Sequence, residues 1–327
     1  MLTVDKTTVS WHNQKQQLGE GCFALQEKKE VLLQRVKELK EKRKAVILAH
    51  NYQIEEVQDA ADYVGDSFGL SRIAAKTDAE VIVFCGVHFM AEGAAILAPE
   101  KIVLLPERAG CPMADMVTVE ALREKKEQYP HAKVVTYVNS SAAVKAESDI
   151  CVTSSNAVNV VNSLDCEEVL FVPDMNLGSF VADRTQKKVI LWEGFCITHH
   201  RVSTDDVIRA REAYPDAVLV VHPECRPEVV KVADHAFSTG GILKFARETK
   251  HKKFIIGTEM GLLYRLRQEN PEKEFYLLSD EMICPTMKEI NLQKIINSLE
   301  TLEPRITVPD SIRGPAGKAL ARMLTVA

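Results

Sequence analysis

Three stretches of this chain repeat one another, and their period constrains the fold more than any other feature. Lys44 to Gln53, Ala132 to Ser141 and Asp216 to Cys225 are each a run of apolar, β-type residues closing on polar ones. With Val46, Val134 and Val218 as equivalent starts, the steps are 88 and 84 residues. A second element recurs as Leu104-Leu105-Pro106-Glu107, Phe171-Val172-Pro173-Asp174 and Ile256-Gly257-Thr258-Glu259, with Gly110, Gly178 and Gly261 following. A period of roughly 85 residues is too long for a solenoid and suits a small sheet domain. Helical stretches alternate with the apolar runs, which argues for parallel α/β architecture.

The division that follows is an N-terminal extension and covering helix (1–43), then α/β units at 44–111, 112–196 and 197–284. Residues 285–327 complete the first unit with a C-terminal helix. Phe23 to Lys44 reads as the covering helix, with Leu25, Val31, Leu32, Val36 and Leu39 on its apolar face. Ligands of open parallel sheets bind beyond the carboxyl ends of strands. His50, Asn51 and Tyr52, then Tyr137 and Asn139, then His222 and Glu224 stand at those ends. Three units facing one another would bring these groups into one cleft.

Composition excludes some partners. The net charge of −5 offers no global basic field for nucleic acid. Carboxylate- or phosphate-bearing substrates therefore call for a local positive pocket. No apolar run approaches the roughly 18–20 residues of a membrane span, and the polar start does not resemble a signal peptide. A cytoplasmic location is expected.

The chain holds eight cysteines and no Cys-x-x-Cys pair, which disfavours zinc ribbons and ferredoxin-type cluster loops. Three of them keep the period of the repeats. Cys111, Cys196 and Cys284 are separated by 85 and 88 residues, each in a loop with Gly or Pro nearby. One thiolate per unit would hold a [4Fe-4S] cluster by three corners and leave one iron open as a Lewis acid. Spacing alone leaves three buried thiols as an equal alternative. Cys85 and Cys151 suit a packed core, Cys22 and Cys166 have no convergent neighbours, and Cys225 lies near the strand-end groups.

Eight motifs in sequence order resemble those of the quinolinate synthase family. They are His50-Asn51-Tyr52-Gln53, Gly65-Asp66-Ser67, Thr136 to Ser140, Thr153 to Ala157, His222-Pro223-Glu224-Cys225, Ser238 to Gly241, Gly257 to Gly261 and Cys284 to Met287. The resemblance runs from about Lys44 to Leu299. It implies three pseudo-symmetric, three-layer αβα domains with small parallel sheets around a central [4Fe-4S] site, one cluster per chain. It also implies condensation of iminoaspartate with dihydroxyacetone phosphate in de novo NAD biosynthesis. An L-aspartate oxidase or dehydrogenase would supply the iminoaspartate. The family's cluster ligands match Cys111, Cys196 and Cys284.

By the same resemblance, Ser67, Ser154, Ser238 and Thr239 anchor substrate oxygens, and His50 and His222 bind carboxylate. His199, rather than His200, matches the family's third histidine. Glu224 is the candidate base, and burial is expected to raise its pKa toward the working range. Tyr52 and Tyr137 would relay protons or orient a carbonyl, and Asn139 would hold an enol oxygen. Glu107, Asp174 and Glu259 read as caps or interdomain contacts, and Lys145 and Lys244 as solvent-facing helix residues. A non-enzymatic iron–sulfur redox sensor on the same thiolates is the alternative. It would not need so polar a cleft.

Overall fold

The computed structural model describes residues 26–326. The expected helix start at Phe23, the Leu25 contact and the reading of Cys22 lie outside the described residues. From 26 to 43 the chain is helical. Val36 and Leu39 are buried and Leu32 and Leu33 pack beside them, whereas Val31 faces solvent. Val31 therefore lies off the apolar stripe assigned from spacing.

Among the described residues, twelve strands form three four-stranded sheets, and the pairing within all three is parallel. The first holds β1 (Ala45–His50), β2 (Tyr63–Gly65), β3 (Val81–Cys85) and β4 (Ile102–Leu104). The second holds β5 (Lys133–Tyr137), β6 (Ile150–Val152), β7 (Glu168–Val172) and β8 (Lys188–Leu191). The third holds β9 (Val218–Val221), β10 (His235–Ala236), β11 (Lys253–Gly257) and β12 (Glu274–Leu277). Each has its second strand at one edge and its first beside it: β2-β1-β3-β4, β6-β5-β7-β8 and β10-β9-β11-β12. Parallel neighbours need a crossover, and helices fill these connections. Covered on both faces, the central strands read as continuous apolar runs, with β3 buried at every residue.

One hydrogen bond fixes the equivalence of the units. Asp62 Oδ2 accepts from the Ile47 N–H, Asp149 Oδ2 from Val134 and Asp234 Oδ2 from Leu219, each at 2.8 Å and fifteen residues apart. The matching strand residues are thus Ile47, Val134 and Leu219. The sequence alignment on Val46, Val134 and Val218 is off by one in two units. A strand apolar on both faces has no alternation to betray such a slip.

The second repeat needs a larger correction. Phe171 lies in β7 and Ile256 in β11, the third strands of their sheets, but Leu104 lies in β4, a fourth strand. The first-unit counterpart is the end of β3, where Cys85 leads into Val87. The helix Leu292–Thr301 packs on β3, while the last helix, Asp310–Thr325, packs on the helix Ala142–Ala146 and β6 as well as on His88–Leu97. The C-terminal segment therefore joins the first two units.

Candidate active site

The register places site residues at matching positions. Three residues beyond Ile47, Val134 and Leu219 come His50, Tyr137 and His222, and two residues further Tyr52, Asn139 and Glu224. Twenty beyond the same starts come Ser67, Ser154 and Thr239. All nine line one cavity, together with Cys111, Cys196, Cys284 and His199. Ser238 alone of the expected site residues is not on that wall. It is the N-cap of the helix Thr239–Glu248, its Oγ accepting from the Gly241 N–H at 3.2 Å. Asp66 fills the matching place before Ser67, capping Ser67–Ala74 through the Gly69 N–H.

The two histidines are held alike. His50 Nδ1 accepts from the Tyr52 N–H at 3.2 Å, and His222 Nδ1 from the Glu224 N–H at 3.3 Å. With Nδ1 occupied as acceptor, the neutral ring carries its proton on Nε2. His222 Nε2 lies 3.1 Å from Ser154 Oγ. Burial lowers both pKa values to about 3, against the opposing pull of Glu224. Both rings are neutral N–H donors at pH 7.

Glu224 departs from expectation. Burial does push its carboxyl upward, but His199 and His222 outweigh burial and bring it to about 2. His199 Nδ1 lies 2.7 Å from Glu224 Oε2, and the His199 and His222 rings stack at 4.8 Å between centroids. The Tyr137 hydroxyl lowers the Glu224 pKa further. Glu224 is a carboxylate at working pH, and its Oε1 has no partner in the protein; neither has Asn139 Oδ1. Two buried acceptors are thus free to meet a donor on a ligand. Burial, with Glu224 nearby, pushes the Tyr52 and Tyr137 phenols well up, so both keep their protons.

Thr258 joins the units and was not singled out in the sequence. Its Oγ1 lies 2.7 Å from the Tyr52 hydroxyl and 2.9 Å from His199 Nε2. A hydroxyl after a strand-end glycine carries no pattern that marks it. His200 turns away, with Nδ1 3.1 Å from Asn176 Nδ2 and its ring stacked on Phe195.

Lys145, read as solvent-facing, is 1% exposed; Lys244 is exposed as expected. The Lys145 Nζ donates to the Ser140 carbonyl and lies 5.3 Å from the Phe89 ring centre, and burial lowers its pKa. Among the described residues no lysine or arginine lines the cavity. Positive potential there comes instead from helix N-termini at Ser67 and Thr239 and from imidazole N–H groups.

Cys111, Cys196 and Cys284 are free thiols. Without a metal, burial pushes Cys111 to about 12 and, aided by Glu224, Cys196 well above the ordinary thiol range. A bound cation would stabilise the thiolates of these two. Cys196, His199 and Glu224 also bring three donor atoms within 4.8 Å of one another, so a metal ion could be held here. Cys85 and Cys151 are core thiols. Cys225 is buried with its thiol facing the Gly257 carbonyl, and burial raises its pKa, which disfavours thiolate reactivity.

The family model described as "Quinolinate synthetase A protein" matches residues 34–325. The chain belongs to the quinolinate synthetase A family. It is 57% identical over 296 residues to the quinolinate synthase of Methanosarcina barkeri, covering 90% of this chain and 97% of that one. The Geobacter metallireducens quinolinate synthase is 57% identical over 298 residues, covering 91% and 98%. That of Dehalococcoides mccartyi strain CBDB1 is 56% identical over 299 residues, covering 91% and 99%. Members of this family are enzymes of NAD biosynthesis, and this chain is one of them. Among its described residues no helix is long and apolar enough to cross a membrane.

Proposed function

We propose that this chain is a cytoplasmic enzyme that condenses iminoaspartate with dihydroxyacetone phosphate to quinolinate, releasing phosphate and two waters. An L-aspartate oxidase or dehydrogenase supplies the iminoaspartate. The observation that carries this reading is the meeting of three cysteines, one from each repeat, with nine matched polar side chains in one cavity. Cys111, Cys196 and Cys284 would hold a [4Fe-4S] cluster, whose donor chemistry three free, half-buried thiols on one cavity wall fit. When bound, that cluster supplies a Lewis acid through its fourth iron.

The protein's own groups do the rest. His50 and His222 offer Nε2–H to carboxylate oxygens, and Ser67, Ser154 and Thr239 offer hydroxyls beside the backbone N–H groups that follow. Ser238 supports Thr239 as the cap behind it. Glu224 accepts a proton at Oε1, while His199 holds Oε2 in place. Tyr52 and Tyr137 remain hydroxyl donors, and Asn139 Oδ1 takes an enol or imine hydrogen.

Single substitutions Cys111→Ala, Cys196→Ala and Cys284→Ala test the assignment. Each is expected to lose iron and quinolinate formation together. Full activity in a colourless triple variant would overturn the cluster reading.

A further inference from the structure

The threefold pattern extends to the loops that carry the cysteines, and there it breaks. In each unit a backbone N–H just after the third strand donates to a carbonyl two residues before a cysteine. His88 donates to Ala109 at 2.8 Å, Met175 to Gly194 at 2.8 Å and Met260 to Met282 at 2.9 Å. The cysteines that follow are Cys111, Cys196 and Cys284, and the residues before the donors are Val87, Asp174 and Glu259.

Two of these three positions carry acids. Asp174 Oδ2 accepts from the Cys196 N–H at 3.2 Å, and Glu259 Oε1 from the Cys284 N–H at 3.2 Å. Both acids are fully buried. Asp174 Oδ1 also caps the next helix through the Asn176 and Leu177 N–H groups, and Glu259 is paired with Lys288 at 2.8 Å. Each acid thus ties a cysteine loop to the rigid end of a central strand. Val87 has no acceptor to offer Cys111. Cys111 also lines a second groove, on the side of Arg108, Gly110 and Arg305, which neither Cys196 nor Cys284 lines.

We propose that Asp174 and Glu259 are positioning residues that preset the Cys196 and Cys284 loops for the cluster, and that the Cys111 corner is the one that opens first. The inference rests on the cluster reading above. A ligand whose backbone N–H is already tied to a buried acid loses little freedom on binding iron, whereas the Cys111 loop is held by backbone bonds such as His88 to Ala109 and lacks that side-chain tie. The outer groove gives an oxidant or chelator access to that corner.

The test uses the anaerobic holoenzyme, an iron chelator and short pulses of iodoacetamide, with the labelled cysteines read by mass spectrometry. Cys111 is expected to be labelled several-fold faster than Cys196 or Cys284 as iron leaves. Labelling of Cys196 or Cys284 first, or of all three at one rate, would overturn the inference while leaving the cluster reading intact. A folded chain without iron would overturn both. Asp174→Asn keeps an acceptor for the cap and removes the Cys196 tie, and Glu259→Gln weakens the Cys284 tie. Each is expected to speed iron release several-fold and to raise labelling of its own cysteine selectively, a pattern that general destabilisation would not give. Unchanged release in both folded variants would count against the proposal; the wild-type labelling order decides it even if neither variant folds.

Discussion

His199 Nδ1 lies 2.7 Å from Glu224 Oε2 with both side chains buried, and this contact sets the protonation of the cavity. It keeps Glu224 ionised where burial alone would neutralise it. Glu224→Gln keeps the shape and removes the proton acceptor. Quinolinate formation is expected to fall by about 10²–10⁴-fold with iron content unchanged. Near-normal kcat in an iron-replete variant would assign the base elsewhere.

Acid should unfold this protein through its buried histidines. His50 and His222 have folded pKa values of about 3, below the unfolded value near 6.5. Between these limits the unfolded chain binds protons that the folded chain refuses, so stability falls as pH falls from about 6.5 toward 3. Each histidine contributes a slope of roughly 1.4 kcal/mol per pH unit in that window. Glu224, lowered from its ordinary range to about 2, adds a loss of the same sign below about 4.5. Denaturant unfolding at pH 7, 6 and 5 reads the slope. His50→Gln is expected to flatten it, and an unchanged slope would contradict the assignment.

Thr258 links Tyr52 of the first unit to His199 of the third through one hydroxyl. Thr258→Val keeps the volume and leaves both partners without it. A loss of about tenfold in kcat/KM is expected, equivalent to about 1.4 kcal/mol, with recovery in Thr258→Ser. Equal activity in the Val and Ser variants would show the hydroxyl to be dispensable.

Lys145 is a buried cation whose ammonium binds the Ser140 carbonyl, next to Asn139 in the site. Lys145→Met preserves most of the volume and removes the charge. Its thermal midpoint is expected to stay within a few degrees of the parent, since burying an ammonium is itself costly. Activity is expected to fall about tenfold as the Asn139 turn loses its tie. A fully active variant would show that the turn holds itself.

The three cysteines and the strand-end ring were legible because each sits at a chain-distant, periodic position that a motif marks. The strand register was not, because runs such as Val-Ile-Val-Phe-Cys in β3 face core on both sides and tolerate a slip of one. Lys145 was misplaced since its helix is only five residues long and its burial comes from Phe89 and the C-terminal helix, both distant in sequence. The sign of the Glu224 shift was equally hidden. It depends on an imidazole 25 residues earlier that only the fold brings to 2.7 Å.

The most direct test of the central claim is to purify the chain without oxygen, record its visible spectrum and iron content, and assay quinolinate from iminoaspartate and dihydroxyacetone phosphate. Broad brown absorbance, about four irons per chain and quinolinate formation are the expected result. Iron without product would favour a redox sensor, and a colourless chain that makes quinolinate would contradict the role given to Cys111, Cys196 and Cys284.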